Sequence, residues 1–154
     1  LLGGMALEAF LEPVERGARV FGKALAHSFQ QYPQRRLKEF ENRFQIDPQE
    51  SPSQEQWHWP VRRKWAKELY EFRSTTVHTG HDGSVAGGLS ENWCLEQHLV
   101  AAAEVYPLLV KVALSEKGLY RLSQSDRAKC DCIDQLLACG WPEGEDTDPV
   151  WSSI

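Results

Sequence analysis

The sequence predicts an all-α protein, a helical bundle of about four to five helices. Apolar residues recur at intervals of three and four along several segments, which is the period of an amphipathic helix. No segment alternates apolar and polar residues over a length useful for a strand. The 154 residues, 42% hydrophobic and 25% charged, suffice for one domain with a core. We expect a helical domain over residues 1–142 and an acidic tail over residues 143–154.

The first element is a long N-terminal helix with one apolar stripe. Pro13 is expected to kink or divide this helix, and Pro33 ends it. The stripe consists of Leu7, Leu11, Val14, Ala18, Phe21, Leu25 and Phe29. A short second helix is predicted from the spacing of Leu37, Phe40 and Phe44.

Residues 46–59 have no apolar period and include two prolines, so they are expected to form a long loop. Such a loop is either functional or a mobile insertion, with Trp57 and Trp59 anchoring its far end in the core. Pro60 then suits the start of a third helix, because its missing N–H costs nothing there. The apolar stripe of this helix is Val61, Trp65, Leu69, Phe72 and Thr76.

Two further helices complete the bundle. Residues 79–90 contain four glycines and are expected to form a flexible connection, after which Ser90 can cap a helix. This helix, over residues 91–114 and bent by Pro107, is apolar on two faces, so it should lie at the bundle centre or at a subunit contact. Ser123 and Asp126 have the spacing of a capping box for the last helix, which Gly140 ends. Its inner face is Cys130, Ile133, Leu136 and Leu137.

Charge and cysteine content exclude several classes of protein. The net charge of −5 argues against a broad nucleic-acid surface, so any RNA contact must be local. No spanning segment or signal peptide is recognisable, and the four cysteines form no CxxC pair, which indicates free thiols in a reducing cytoplasm. Cys94 and His98, one helical turn apart, are half of a metal site with no second half, so neither metal nor cofactor is expected. The start at Leu1 suggests a domain excised from a larger chain.

The third helix carries an arginine and a histidine near its end. Arg73 can hold a phosphate with two parallel hydrogen bonds, and His78 can transfer a proton near neutral pH. Together they can cleave RNA without a metal: the histidine moves the proton of a 2′-hydroxyl or of the leaving oxygen, and the arginine stabilises the charge on the phosphate. The alternative is a structural pair in which the histidine caps the helix C-terminus.

The surroundings of this pair resemble the motif of the HEPN family, in particular of ApeA-like HEPN domains. There an aromatic-containing helix carries Arg, a small polar residue, His and then Gly. The matching residues are Tyr70, Phe72, Arg73, Ser74, His78 and Gly80. This sequence departs from the family pattern in two ways. Thr79 lies between the histidine and the glycine, and Ser74 stands where many catalytic members carry Asn, Asp or His.

The resemblance implies a metal-independent endoribonuclease in which His78 is the general acid and base, Arg73 the transition-state stabiliser and Ser74 a phosphate hydrogen-bond donor. It further implies 2′,3′-cyclic phosphate products, a homodimer, and a role in defence or stress against foreign RNA. One alternative is a non-catalytic HEPN-like module for dimerisation, or for sensing RNA or nucleotide, within a larger protein. Another is a helical interaction domain whose motif is accidental.

The spacing of the pair limits the geometry of any site. Five residues at about 100° each place the two side chains about 140° apart around an ideal helix. Either the helix ends near Val77 and lets His78 swing round, or two chains share the site.

Basic residues crowd the start of the same helix: Arg62, Arg63, Lys64 and Lys67. Cations are disfavoured at a helix N-terminus, so something must compensate for them. They form either a track for the RNA backbone leading to Arg73, or a solvated face, or pairs with the acidic residues Glu143, Glu145, Asp146 and Asp148.

Overall fold

The computed structural model describes residues 6, 9–11, 17–44, 53–79 and 92–140, without the side chains of residues 53, 54 and 75–79. Within these ranges the chain is all-α, as predicted, and an isolated antiparallel bridge between Arg36 and Pro60 is the only strand-like pairing. The elements are α1 (Ala18–Ser28), a 3-10 helix (Leu37–Phe40), α2 (Ser53–Gln56), α3 (Val61–Thr79), α4 (Leu95–Glu116), α5 (Gln124–Asp131) and α6 (Ile133–Cys139).

Several expectations fall on residues outside the described ranges. They are the kink at Pro13, the glycine-rich connection, the boundary at residue 142 and the acidic tail of residues 143–154. These stay predictions.

Helix α1 packs along α3, and the two backbones meet at a glycine. A Cβ atom on Gly22 would lie 2.6 Å from the carbonyl oxygen of Arg63, closer than real side chains come. Around this contact Phe21, Leu25 and Phe29 are buried, which confirms the inward face predicted for this part of the first helix.

The short second helix predicted from the apolar spacing is a 3-10 helix, and it is tied to the segment before α3. The Leu37 amide donates to the Trp59 carbonyl oxygen (3.0 Å), and the Lys38 amide donates to that of Trp57 (3.1 Å). Trp59 is buried and Trp57 packs against the core. The prediction that both tryptophans anchor the end of the long connection is confirmed.

The first half of α3 lies at the centre of the described fold. Every side chain from Val61 to Leu69 is buried except that of Arg63, which is half-buried. Helices α1 and α6 both pack on α3. The predicted apolar stripe is therefore correct for Val61, Trp65 and Leu69, but the charged residues between them are buried too.

Helix α4 is buried on one face only. Its inward residues are Gln97, His98, Ala101, Ala102, Val105, Leu108, Leu109 and Val112. Its other faces expose Leu95, Leu99, Val100 and Leu114. The prediction that this helix lies at the bundle centre is wrong, and the alternative of a subunit contact stays a prediction. By length and composition α4 could also cross a bilayer, contrary to expectation, although its inward face packs in the core of the described fold.

The start of α4 also differs from the prediction. Residues 92–94 are not helical, so a start at Ser90 is wrong and Cys94 occupies the N-cap position. The side-chain oxygen of Gln97 accepts a hydrogen bond from the Cys94 amide (2.9 Å), which replaces the cap expected from Ser90.

The last predicted helix is two helices, because Cys132 interrupts it with non-helical backbone angles. This break and the short α2 bring the described α-helices to six, where about four to five were expected. The capping box is confirmed: Ser123 Oγ accepts from the Asp126 amide (3.0 Å), and the Asp126 carboxylate accepts from the Ser123 amide (3.0 Å). Gly140, with φ of 103°, ends α6 as predicted.

Candidate functional site

The motif helix continues past its histidine. Helix α3 runs without interruption from Val61 to Thr79, so Arg73, Ser74 and His78 all lie on it. The alternative in which the helix ends near Val77 is therefore wrong. On a continuous helix residues 73 and 78 remain about 140° apart, because each residue turns the helix by about 100°. The arrangement in which two chains share the site stays a prediction.

Arg73 is held against an aromatic side chain one turn earlier on α3. Its guanidinium carbon lies 5.2 Å from the centroid of the Tyr70 ring, and that ring packs against Phe21 of α1 at 5.7 Å. Arg73 and Ser74 are both half-buried. The cation–π contact and the packing of Tyr70 limit the freedom of the guanidinium, which suits a group that must meet a phosphate in one orientation. The side chain of His78 lies outside the described part of the chain.

Arg62, predicted as the first residue of an RNA track, lies in the core. Its side chain is 0% exposed, and its Nη2 lies 2.6 Å from Asp134 Oδ2 of α6. The guanidinium also donates to the carbonyl oxygens of Phe29 (2.9 Å) and Pro33. A phosphate cannot reach it without opening the fold, so its assignment to an RNA-binding surface is wrong.

Lys64 and Lys67 are also buried, at 2% and 5% exposure. The Lys64 ammonium lies 3.4 Å from the Glu68 carboxylate, and that of Lys67 lies 2.9 Å from Glu71. Their counter-charges come from the next turn of the same helix, so the interpretation of the cluster as a solvated face or exposed track is wrong for these two residues. Pairing with residues 143–148 falls outside the described ranges.

Arg63 is the exception among the four. It is half-buried, and its guanidinium carbon stacks 3.7 Å from the centroid of a Trp59 ring. Burial lowers the pKa of Arg63 below its usual range, the Glu55 carboxylate opposes that shift and Arg19 adds to it. This residue alone keeps the surface position that the predicted track required.

A buried polar network links α3 to the start of α4, and no sequence motif indicated it. Glu68 accepts hydrogen bonds from the Asn92 side chain (2.6 Å) and the Asn92 amide (3.2 Å). Arg43 donates to the Asn92 carbonyl oxygen (2.6 Å) and lies over the rings of Phe44 and Trp93. Polar spacing along the sequence could not have found this network, because its members come from three separate segments.

His98 occupies an aromatic box in the same region. Its ring stacks on Phe72 at 5.8 Å and lies 6.3 Å from Trp65 and 6.2 Å from Trp93. The residue is 1% exposed, and neither ring nitrogen has a hydrogen-bond partner. Burial lowers the pKa of His98 to about 4, against the smaller opposing effect of the Glu68 carboxylate. His98 is thus neutral at physiological pH and closed to a polymer substrate.

Replacing His98 with phenylalanine is expected to flatten the acid dependence of stability. In the native state the His98 pKa is about 4, whereas the unfolded chain binds the proton near 6.5. Between pH 4 and pH 6.5 the unfolded state therefore binds more protons than the native state. The free energy of unfolding is highest above pH 6.5 and falls as the pH drops towards 4. The loss amounts to about 3 kcal/mol. Phenylalanine also removes two buried unpaired nitrogens, which is worth about 1 kcal/mol at pH 7 if the box accepts the larger ring.

Urea denaturation of both proteins between pH 4 and 8 measures this effect. His27 is exposed, so His27→Gln is the matched control and should keep the wild-type pH dependence. If the free energy of unfolding depends on pH equally in wild type and in His98→Phe, His98 is not the source of the acid dependence.

No group of three or more potential metal ligands occurs among the described residues, and Cys94 is exposed while its neighbour His98 is buried. His98 of α4 is enclosed and cannot reach a bound polymer, and His78 is the histidine that the motif helix α3 carries. No family model matches the chain, and no curated protein and no solved structure is significantly similar to it.

Proposed function

We propose that this chain is a HEPN-type domain that cleaves RNA without a metal ion. The observation that carries the proposal is the Arg73–His78 pair on one uninterrupted helix of an all-α fold, with the arginine held against Tyr70. His78 removes the proton of a 2′-hydroxyl, the 2′-oxygen attacks phosphorus, and the bond to the 5′-oxygen breaks. The protonated His78 returns this proton to the 5′-oxygen, and a 2′,3′-cyclic phosphate remains.

In this proposal Arg73 stabilises the negative charge that develops on the phosphate, and Ser74 donates a hydrogen bond to it. Two chains form a homodimer in which the motifs face a common cleft, since one continuous helix does not direct both side chains to one phosphate. The exposed apolar residues of α4, among them Leu99 and Val100, offer a surface for subunit contact. The protein would act in the cytoplasm, within a larger chain, in defence or stress.

A non-catalytic HEPN-like module is the second candidate. Ser74 stands where many catalytic members carry another polar residue, and the net charge is −5. The burial of Arg62, Lys64 and Lys67 adds to this, because it removes three of the four cations expected to bind RNA. Such a module would serve dimerisation, or would sense RNA or nucleotide.

A metal-free nuclease assay separates the two candidates. Wild type, His78→Ala and Arg73→Lys are incubated with fluorescent single-stranded RNA in EDTA, with His27→Ala as a control for an exposed histidine. We expect no turnover for His78→Ala. Arg73→Lys should retain RNA binding but lose about a hundredfold in rate, because lysine keeps the charge and loses the planar fork.

Equal cleavage by wild type and His78→Ala would eliminate the nuclease proposal at this site. RNA binding by a wild-type protein without cleavage would favour the sensing module.

A further inference from the structure

Three basic side chains cluster where α1 meets α3. Arg19 and Lys23 of α1 are exposed and Arg63 of α3 is half-buried. Within the described ranges none of the three forms an ion pair, whereas the neighbouring Arg62 and Lys64 are paired with carboxylates. Most of the basic residues at the start of α3 have a carboxylate partner. Three neighbouring basic side chains without an ion pair are therefore unusual in this part of the described fold.

The backbone contact at Gly22 explains this cluster. A Cβ there would lie 2.6 Å from the Arg63 carbonyl oxygen, so α1 approaches α3 closely at residue 63. Arg19 lies one turn before Gly22, and Lys23 directly follows it. Arg19 is close enough for its charge to act on Arg63. The packing therefore brings like charges together at a cost that an anion would offset.

Trp59 orients the arginine at the centre of the cluster. The guanidinium stacks 3.7 Å from the ring centroid, and Trp59 is itself buried at 6% exposure, so it is a rigid platform. The Arg63 Nε is buried and has no hydrogen-bond partner. A stacked guanidinium directs its N–H groups outward in its own plane, which is the geometry that grips phosphate oxygens.

We propose that Arg63 and Arg19 bind a phosphate group, with Lys23 adding positive charge at its edge. The carboxylate close to Arg63 is that of Glu55, which is exposed and forms no ion pair with it. Glu55 weakens the attraction without filling the site. The phosphate belongs either to a nucleic-acid backbone or to a small molecule such as free phosphate. Only the first source rests on the proposed function.

Titrations with two probes test the site. The probes are inorganic phosphate and a short 2′-O-methyl oligoribonucleotide, which lacks the hydroxyl needed for cleavage. Affinity is measured by calorimetry at several salt concentrations on the wild type, Arg63→Gln, Arg19→Gln and Arg127→Gln. Arg127 is an exposed arginine of α5 without an ion pair among the described residues, which makes it the matched control. The Nε–H signal of Arg63, followed by NMR, reports a change in the surroundings of its guanidinium.

We expect Arg63→Gln and Arg19→Gln each to weaken binding about tenfold, because each removes charged hydrogen bonds. Each should also reduce the salt slope of oligonucleotide binding by roughly one unit, while Arg127→Gln matches the wild type. Arg19 is exposed, so its variant stays informative even if Arg63→Gln loosens the packing on Trp59. A shift of the Arg63 Nε–H signal with both probes indicates a small-molecule source, and a shift with the oligonucleotide alone indicates nucleic acid.

The proposal is overturned if neither probe binds, or if both arginine variants bind like Arg127→Gln. Its failure can be distinguished from that of the proposed nuclease, since cleavage is read from His78→Ala and phosphate binding from Arg63→Gln. Loss of phosphate binding in Arg63→Gln together with an inactive wild type would leave the site standing and remove only the nuclease.

Discussion

Replacing Asp134 with alanine is expected to lower the free energy of unfolding by about 3–5 kcal/mol. The Asp134 carboxylate, at 1% exposure, accepts hydrogen bonds from the Arg62 amide (2.8 Å), Nε (3.0 Å) and Nη2 (2.6 Å) and from the Arg35 amide (2.8 Å). Without it the Arg62 guanidinium stays buried among carbonyl oxygens with no counter-charge. Such an unpaired buried charge costs far more than the pair itself contributes.

Chemical denaturation of three variants tests this ion pair. Arg62→Met with Asp134→Leu removes both charges, so the double variant should be more stable than Asp134→Ala. The control is the Lys129–Glu104 pair, which has the same 2.6 Å separation but is about 40% exposed at both side chains. Lys129→Ala should cost at most about 1 kcal/mol, because solvent screens the charges. If Asp134→Ala lowers the free energy of unfolding no more than Lys129→Ala does, burial adds nothing to the Arg62–Asp134 interaction.

Mixing Arg73→Ala and His78→Ala chains is expected to restore RNA cleavage that neither variant shows alone. If each site takes Arg73 from one chain and His78 from the other, a mixed dimer holds one intact site and one doubly altered site. About half of randomly assorted dimers are mixed, so the unpurified mixture should recover about a quarter of the wild-type rate, and the purified mixed dimers about half of it. The continuous helix α3 motivates this expectation, since it keeps residues 73 and 78 on different sides.

The measurement uses chains with two different tags, refolded together and purified through both tags. A mixture of His78→Ala with the Arg73→Ala/His78→Ala double variant contains no His78 and serves as the control. Inactive mixed dimers from an active wild type would place each site within one chain. A monomer by light scattering at micromolar concentration would also contradict the shared site.

Local sequence patterns predicted the helices and several of their ends. The start of α3 after Pro60, the Ser123–Asp126 cap and the end of α6 at Gly140 agree with the structure. Each depends on residues within one helical turn, so the spacing of side chains along the chain is sufficient information. The missed start of α4 shows the limit, because Gln97 provides the cap at Cys94 where Ser90 had the more favourable residue type.

Local sequence patterns predicted the candidate site only in part. The Arg73–His78 pair is visible as a spacing, and the uninterrupted α3 then removed one of the two geometries it allowed. The prediction of an RNA track was wrong for Arg62, Lys64 and Lys67, because a run of basic residues does not reveal which of its side chains face inward. Arg62 pairs with Asp134, 72 residues later, and a pattern along the chain cannot detect such a partner.

The sequence alone therefore established the fold class, most helix positions and the motif, since helical propensity, capping and apolar period are local properties. Tertiary packing decided which face of each helix is buried and which charges are neutralised. It enclosed His98 between aromatic rings from α3 and the start of α4, and left Arg63 at the surface beside Arg19. Burial and partnership depend on contacts between distant segments, where the cost of desolvating a charge is offset only by the side chains that the fold brings to it.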